Sequence, residues 1–205
     1  MRLILVVISL ITIFLAGQVS AANRAQKAQV AKDKAEVLEQ NAAPEGSKAV
    51  PSPGERITKP EAQAVDPRGE KTLDDAITCL ARTIYWEARG EEIAGMEAIA
   101  NVVMNRLGIE GFPNTICEVV MQGQEQGACQ FSWWCDGQSD DAQEAKSYAI
   151  AKEIARKALN RQLPDRSRGA LFFSHRSTVP NWATEYVKTA EVGDHVFYRP
   201  QKDIE

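Results

Sequence analysis

The chain has 205 residues, of which 44% are hydrophobic and 25% charged, and its formal net charge is -4. These values suit one ordinary globular domain with appendages and exclude a basic nucleic-acid binder. Four cysteines, none in a CxxC pair, argue against a zinc ribbon and fit two disulfides in an exported protein.

The first residues read as an export segment. Arg2 supplies a positive start, Leu3 to Ala16 is an apolar run interrupted only by Ser9 and Thr12, and Val19-Ser20-Ala21 offers small residues to a signal peptidase. The run is short for a membrane span. Residues 1–21 are therefore expected to be a cleaved signal peptide, with an uncleaved signal anchor as the alternative. Residues 23–40 are rich in Ala, Lys, Glu and Gln and suit a solvated helix whose apolar face holds only Val30, Val37 and Leu38. From Asn41 to Lys71 the composition turns to Pro, Gly, Ser and charge, with Pro44, Pro51, Pro53, Pro60 and Pro67. Residues 22–71 are thus expected to be a disordered or partly helical linker, and the folded domain is expected over 72–200.

Thr72 or Asp74 is placed to cap a helix that runs to about Ala88 and is broken by Gly90. A second helix is expected from about Ile93 to Leu107, with Met96, Ile99, Ala100, Val103 and Leu107 as its apolar stripe and Gly108 as its stop. Phe112-Pro113-Asn114-Thr115 turns into a short helix capped by Asn114. Residues 122–138 lose both periods, yet they hold Phe131, Trp133, Trp134, Cys129 and Cys135. A third long helix is expected from roughly Asp141 to Asn160. Ala170 to His175 and Val192 to Tyr198 read as strands. The expected fold class is α+β, mainly α, with a small terminal antiparallel sheet or hairpin.

One carboxylate stands out in the stretch ARTIYWEARGE. Glu87 follows Ile84 by three residues, Leu80 by seven and Ile77 by ten, so it shares their helical face. Burial there raises its pKa, and a carboxylic acid that stays protonated near neutrality is a general acid. The structural alternative is a buried ion pair with an arginine such as Arg89 or Arg106. Glu91 and Glu92 read as acidic residues at a helix start. In the aromatic loop, Trp133 and Trp134 suit stacking on sugar rings, with one of them expected in the core. Gln130 and Ser132 suit hydrogen bonds to hydroxyl or acetamido groups. Asp136 reads either as an Asx turn or as a second catalytic carboxylate. His175 and His195 show no zinc-ligand spacing, and no HExxH, GxSxG, P-loop or Rossmann pattern occurs. No metal or other cofactor is expected.

Several blocks fall in one order: CLARTIYWEARGE from Cys79, GMEAIANVVMNR from Gly95, FPNTICEVV from Phe112, CQFSWWCDGQ from Cys129, GALFF from Gly169 and GDHVFY from Gly193. Together they resemble the SleB/CwlJ cell wall hydrolase family over about residues 78–199. The four cysteines look like those of Gram-negative or phage-type members. The resemblance implies a lysozyme-like helical domain that cleaves peptidoglycan glycan strands. It puts the essential acid on Glu87. Gln130, Ser132, Trp133, Trp134, Asp136 and Tyr198 are the expected substrate contacts, and Arg89 is expected to buttress the helix end. The implied reaction is cleavage between N-acetylmuramic acid and N-acetylglucosamine, as a lytic transglycosylase. The alternatives are a muramidase-type hydrolase that uses Asp136 and a water, or a non-catalytic murein-binding protein. The expected partner is peptidoglycan. No nucleic acid is expected, and membrane contact only through an uncleaved N-terminus. The expected location is periplasmic or secreted, with inner-membrane anchoring as the variant. The disulfides are expected to be Cys129–Cys135 within the loop and Cys79–Cys117.

Overall fold

The computed structural model describes residues 2–42 and 49–201, with side chains from residue 18 onward. The expected export segment therefore falls within the described backbone except for Met1, with its side chains described only from residue 18, and Pro44 of the expected linker lies outside the described residues. Among the residues whose side chains are described, from residue 18 onward, no helix is long and apolar enough to cross a membrane.

Among the described residues, six α-helices precede a small sheet. They are α1 (Arg2–Ala42), α2 (Lys59–Ala64), α3 (Ala76–Ala88), α4 (Ile93–Arg106), α5 (Ile116–Met121) and α6 (Ala145–Leu159). The strands β1 (Phe172–His175), β2 (Tyr186–Val192) and β3 (His195–Pro200) form an antiparallel sheet in the order β1-β3-β2. The chain is mainly helical with a C-terminal three-stranded sheet. The expected pair of strands is joined by a third, β2, whose burial does not alternate and whose register shifts between Lys188 and Ala190. Such a bulged edge strand leaves little period for the sequence to display.

Helix α3 is the centre of the core. Ile77, Leu80, Ala81, Ile84 and Tyr85 are all inaccessible, and α4, α5 and α6 pack around them. Its cap is Asp75, which accepts from Thr78 N at 2.9 Å, while the expected cap Asp74 bonds Lys32 on α1 instead. Similarly α5 is capped by Thr115, not Asn114. In both places the capping residue sits one position later, where its oxygen reaches the N–H three residues on.

Ordered packing begins well before Thr72. Within the stretch expected to be a disordered or partly helical linker, α2 carries a capping box between Thr58 and Glu61. Ile57, Ala62, Val65 and Asp66 are buried. Asn160 at the end of α6 bonds both backbone groups of Ile57, at 2.9 and 2.8 Å. Asp66 Oδ2 accepts from Arg82 Nη2 and Tyr148 Oη, each at 2.8 Å, and Oδ1 accepts from the N–H groups of Glu70 and Lys71. Burial raises the Asp66 pKa, but these donors outweigh it and hold the carboxyl below its usual range. Pro53 and Pro67 lie in turns between packed pieces, and Pro60 sits in the first turn of α2. Helix α1 also packs on the domain, through Ala28, Ala31, Ala35 and Leu38. The expected face of Val30 and Val37 is exposed, because small alanines allow the closer helix approach.

Candidate active site

Glu87 occupies the last turn of α3, one residue before its end. The three residues sharing its face are fully buried, while Glu87 itself is half-buried. Its carboxyl makes no hydrogen bond or ion pair among the described residues. Burial pushes its pKa up to about 7, with the Arg106 guanidinium acting in the opposite sense. An unpartnered carboxyl at that pKa holds a proton it can deliver near neutral pH.

Arg106 ends α4 and is 2% exposed. Its Nε donates to Leu171 O at 2.8 Å, and its guanidinium lies 5.2 Å from the ring centroids of Phe112 and Phe131 and 5.6 Å from that of Phe172. Nη1 is buried without a partner. Burial lowers the Arg106 pKa to about 10, and Glu87 acts to raise it. The two groups interact by charge without forming an ion pair, so Arg106 does not quench the acid. The other candidate partner, Arg89, stacks over Trp86 at 4.8 Å and bridges Tyr85 Oη and Glu144.

The second glutamate of the stretch behaves differently. Glu91 Oε2 accepts from the backbone N–H of Asp194 at 3.1 Å, and Oε1 lies 3.0 Å from His195 Nδ1, out of hydrogen-bond alignment. Burial lowers the His195 pKa to about 4, so the imidazole is neutral at pH 7 and the contact is not an ion pair there. The carboxyl fits only because Gly95 and Gly193 face it: a Cβ at either would stand about 2 Å from Oε2, at 2.1 and 1.9 Å. Glu91 is thus a wedge joining the start of α4 to the β2–β3 turn, and not simply an acidic helix start. Its partners lie about a hundred residues away, and two glycines were the only sequence trace of it.

The aromatic loop is stapled as Cys129–Cys135, and Cys79–Cys117 ties α3 to α5. Trp133 is 6% exposed and belongs to the core, as expected of one of the two loop tryptophans. Trp134 is partly buried, and the indole N–H groups of both are enclosed without partners. Gln130 and Ser132 are exposed. Asp136 accepts from the backbone N–H of Gln138 at 2.8 Å, the geometry of an Asx turn. Tyr198 sits on β3, opposite Phe172. Among the described residues, no three His, Cys, Asp or Glu side chains gather as metal ligands. A cavity of about 780 Å³ between α1 and α2 holds none of these residues.

A model of the cell wall hydrolase family matches residues 90–198. That range takes in Glu91, Arg106, the aromatic loop and most of the sheet, and it starts three residues after Glu87. The spore cortex-lytic enzymes of Halalkalibacterium halodurans and Bacillus subtilis are each 31% identical to the chain, over 60% and 69% of its length. The chain spans only 34% and 43% of those relatives. The catalytic domain of the Bacillus cereus SleB protein is 28% identical, with a TM-score of 0.49 over 60% of this chain and 89% of that one. The catalytic domain of the germination-specific lytic transglycosylase SleB from Bacillus anthracis is 26% identical, also at 0.49, over 63% and 97%. Since the family match takes in just over half of the residues, including the wedge, the boxed arginine and all but the last two residues of the sheet, the chain belongs to the SleB-type cell wall hydrolase family.

Proposed function

We propose that this enzyme cleaves the glycan strand of peptidoglycan between N-acetylmuramic acid and N-acetylglucosamine, as a lytic transglycosylase with Glu87 as its only acid. The observation that carries this reading is the unpartnered, half-buried Glu87 carboxyl with its pKa near 7. In the reaction Glu87 gives its proton to the glycosidic oxygen as the bond to the muramic C1 breaks. The muramic C6 hydroxyl then attacks C1 and returns its proton to the Glu87 carboxylate. One carboxyl serves both steps, which suits a site where Arg106 is the one charge acting on Glu87. A two-carboxylate hydrolase needs a partner at defined separation. Asp136 is held in its own turn. The curated relatives are spore cortex-lytic enzymes, which fits a cell-wall glycan as substrate.

Cell wall hydrolases act outside the cytoplasm, in line with the two disulfides. We place this chain in the periplasm or outside the cell, exported by residues 1–21, and we read its cysteines as those of a Gram-negative or phage-type member. Glu87→Gln is expected to abolish release of soluble fragments from purified murein sacculi while the protein stays folded. Mass spectrometry of the wild-type products should show 1,6-anhydromuramic ends. Reducing ends would overturn the transglycosylase reading, and an active Glu87→Gln would overturn the acid itself.

A further inference from the structure

The two faces of the sheet differ. Phe173 and Phe197 pair in register and face the core, where Phe173 meets Phe131 and Phe197 is fully buried. Strand alternation puts Phe172, Tyr198 and Tyr186 on the other face: Phe172 pairs with Tyr198, and Tyr186 with Pro200, two residues along β3 from Tyr198. Trp182, in the 3-10 segment before β2, joins them. Its ring lies 5.3 Å from Tyr198, 5.4 Å from Tyr186 and 6.0 Å from Phe172. Phe112 adds a fifth ring at 5.9 Å from Phe172.

Two features separate this cluster from a second small core. The first is its polar atoms. Tyr198 is only 7% exposed, but Trp182 and Tyr186 are half-buried, and the Trp182 indole N–H and Tyr186 hydroxyl make no bond among the described residues and are not enclosed. Water reaches them. The enclosed indole N–H groups of Trp133 and Trp134 are the contrast. Ring faces edged with open donors match a sugar, which presents C–H faces and a rim of hydroxyls. The second is position. Phe112 and Phe172 are two of the three rings that box Arg106, whose charge acts on Glu87.

From this arrangement we propose that Trp182 and Tyr186, backed by the buried Tyr198 and by Phe172 and Phe112, form a glycan-binding platform beside the acid and take a saccharide ring of the murein strand. The proposal rests on the murein reading above and moves the stacking role from Trp133 to Trp182. The platform holds the strand while Glu87 reaches the scissile bond.

The test is a titration of the full-length, isotope-labelled Glu87→Gln protein with peptide-free N-acetylglucosamine–N-acetylmuramic acid oligosaccharides, read on the four tryptophan indole N–H signals. The Trp182 signal is expected to shift and saturate while that of Trp133 stays in place. In the same background Trp182→Ala should weaken binding at least about tenfold, and Trp182→Phe should keep it within about threefold. A still Trp182 signal, or undiminished binding by folded Trp182→Ala, overturns the platform. Should Trp182→Ala fail to fold, the indole titration of the folded Glu87→Gln protein decides alone. The outcome is independent of the catalytic assignment. An active Glu87→Gln would sink the acid and leave the indole pattern readable, whereas an inactive one with an unmoved Trp182 would sink only the platform.

Discussion

Between pH 4.5 and 7 the folded protein keeps on Glu87 a proton that the unfolded chain has already released. The folded state binds more protons across that window, so this group's share of stability falls as pH rises through it and is lost above about 7. Below 4.5 both states are protonated and the share is intact. Glu87→Gln removes the penalty. The variant is therefore expected to melt above wild type by about 3 °C or more near pH 8, and level with it near pH 4. Calorimetric scans at the two pH values check this, and equal melting near pH 8 would show a well-solvated carboxyl. Glu87 was legible in the sequence because its face-mates Ile77, Leu80 and Ile84 are a local pattern, and all three are inaccessible in the fold. Which of Trp133 and Trp134 would be core was left open, because a tryptophan in an aperiodic loop carries no sign of which way it turns. The open rings at Trp182 and Tyr186 come together only through strand pairing, which no local window displays.

At the scale of elements, the α3–α4 corner and the β2–β3 turn are held by the Glu91 wedge. Gly193 has φ +59°, so any side chain there is strained and also drives its Cβ onto the Glu91 carboxyl. Gly193→Ala is expected to destabilise the protein by about 1–3 kcal/mol in urea unfolding. Adding Glu91→Ala should recover part of that loss, because the obstructing carboxyl is gone and the two effects do not add. Full additivity would mean that the wedge is not a contact. The long helices α3, α4 and α6 were legible to within a few residues because each carries a 3.6-residue stripe. Strand β2 was not, since an edge strand with a bulge and mixed exposure has neither period.

Over the whole molecule, composition alone misplaces where the folded body starts. Proline, glycine and charge dominate residues 41–71, yet Ile57 and Asp66 lie at full burial among contacts supplied by α3 and α6. Composition weighs what is frequent, whereas the core is decided by two or three anchoring side chains. This bears on how the chain can be shortened at the bench. A piece cut to begin at residue 72 would leave Arg82 as a buried cation with no anion and Tyr148 with no acceptor, a loss of about 3–5 kcal/mol for the broken pair alone. One beginning at 49 keeps both. The shorter piece is expected to emerge insoluble or without a cooperative melt, and the longer one to melt sharply. The segment that looks like a tether is in effect the keystone of the catalytic body, and the scissors belong upstream of Asp66.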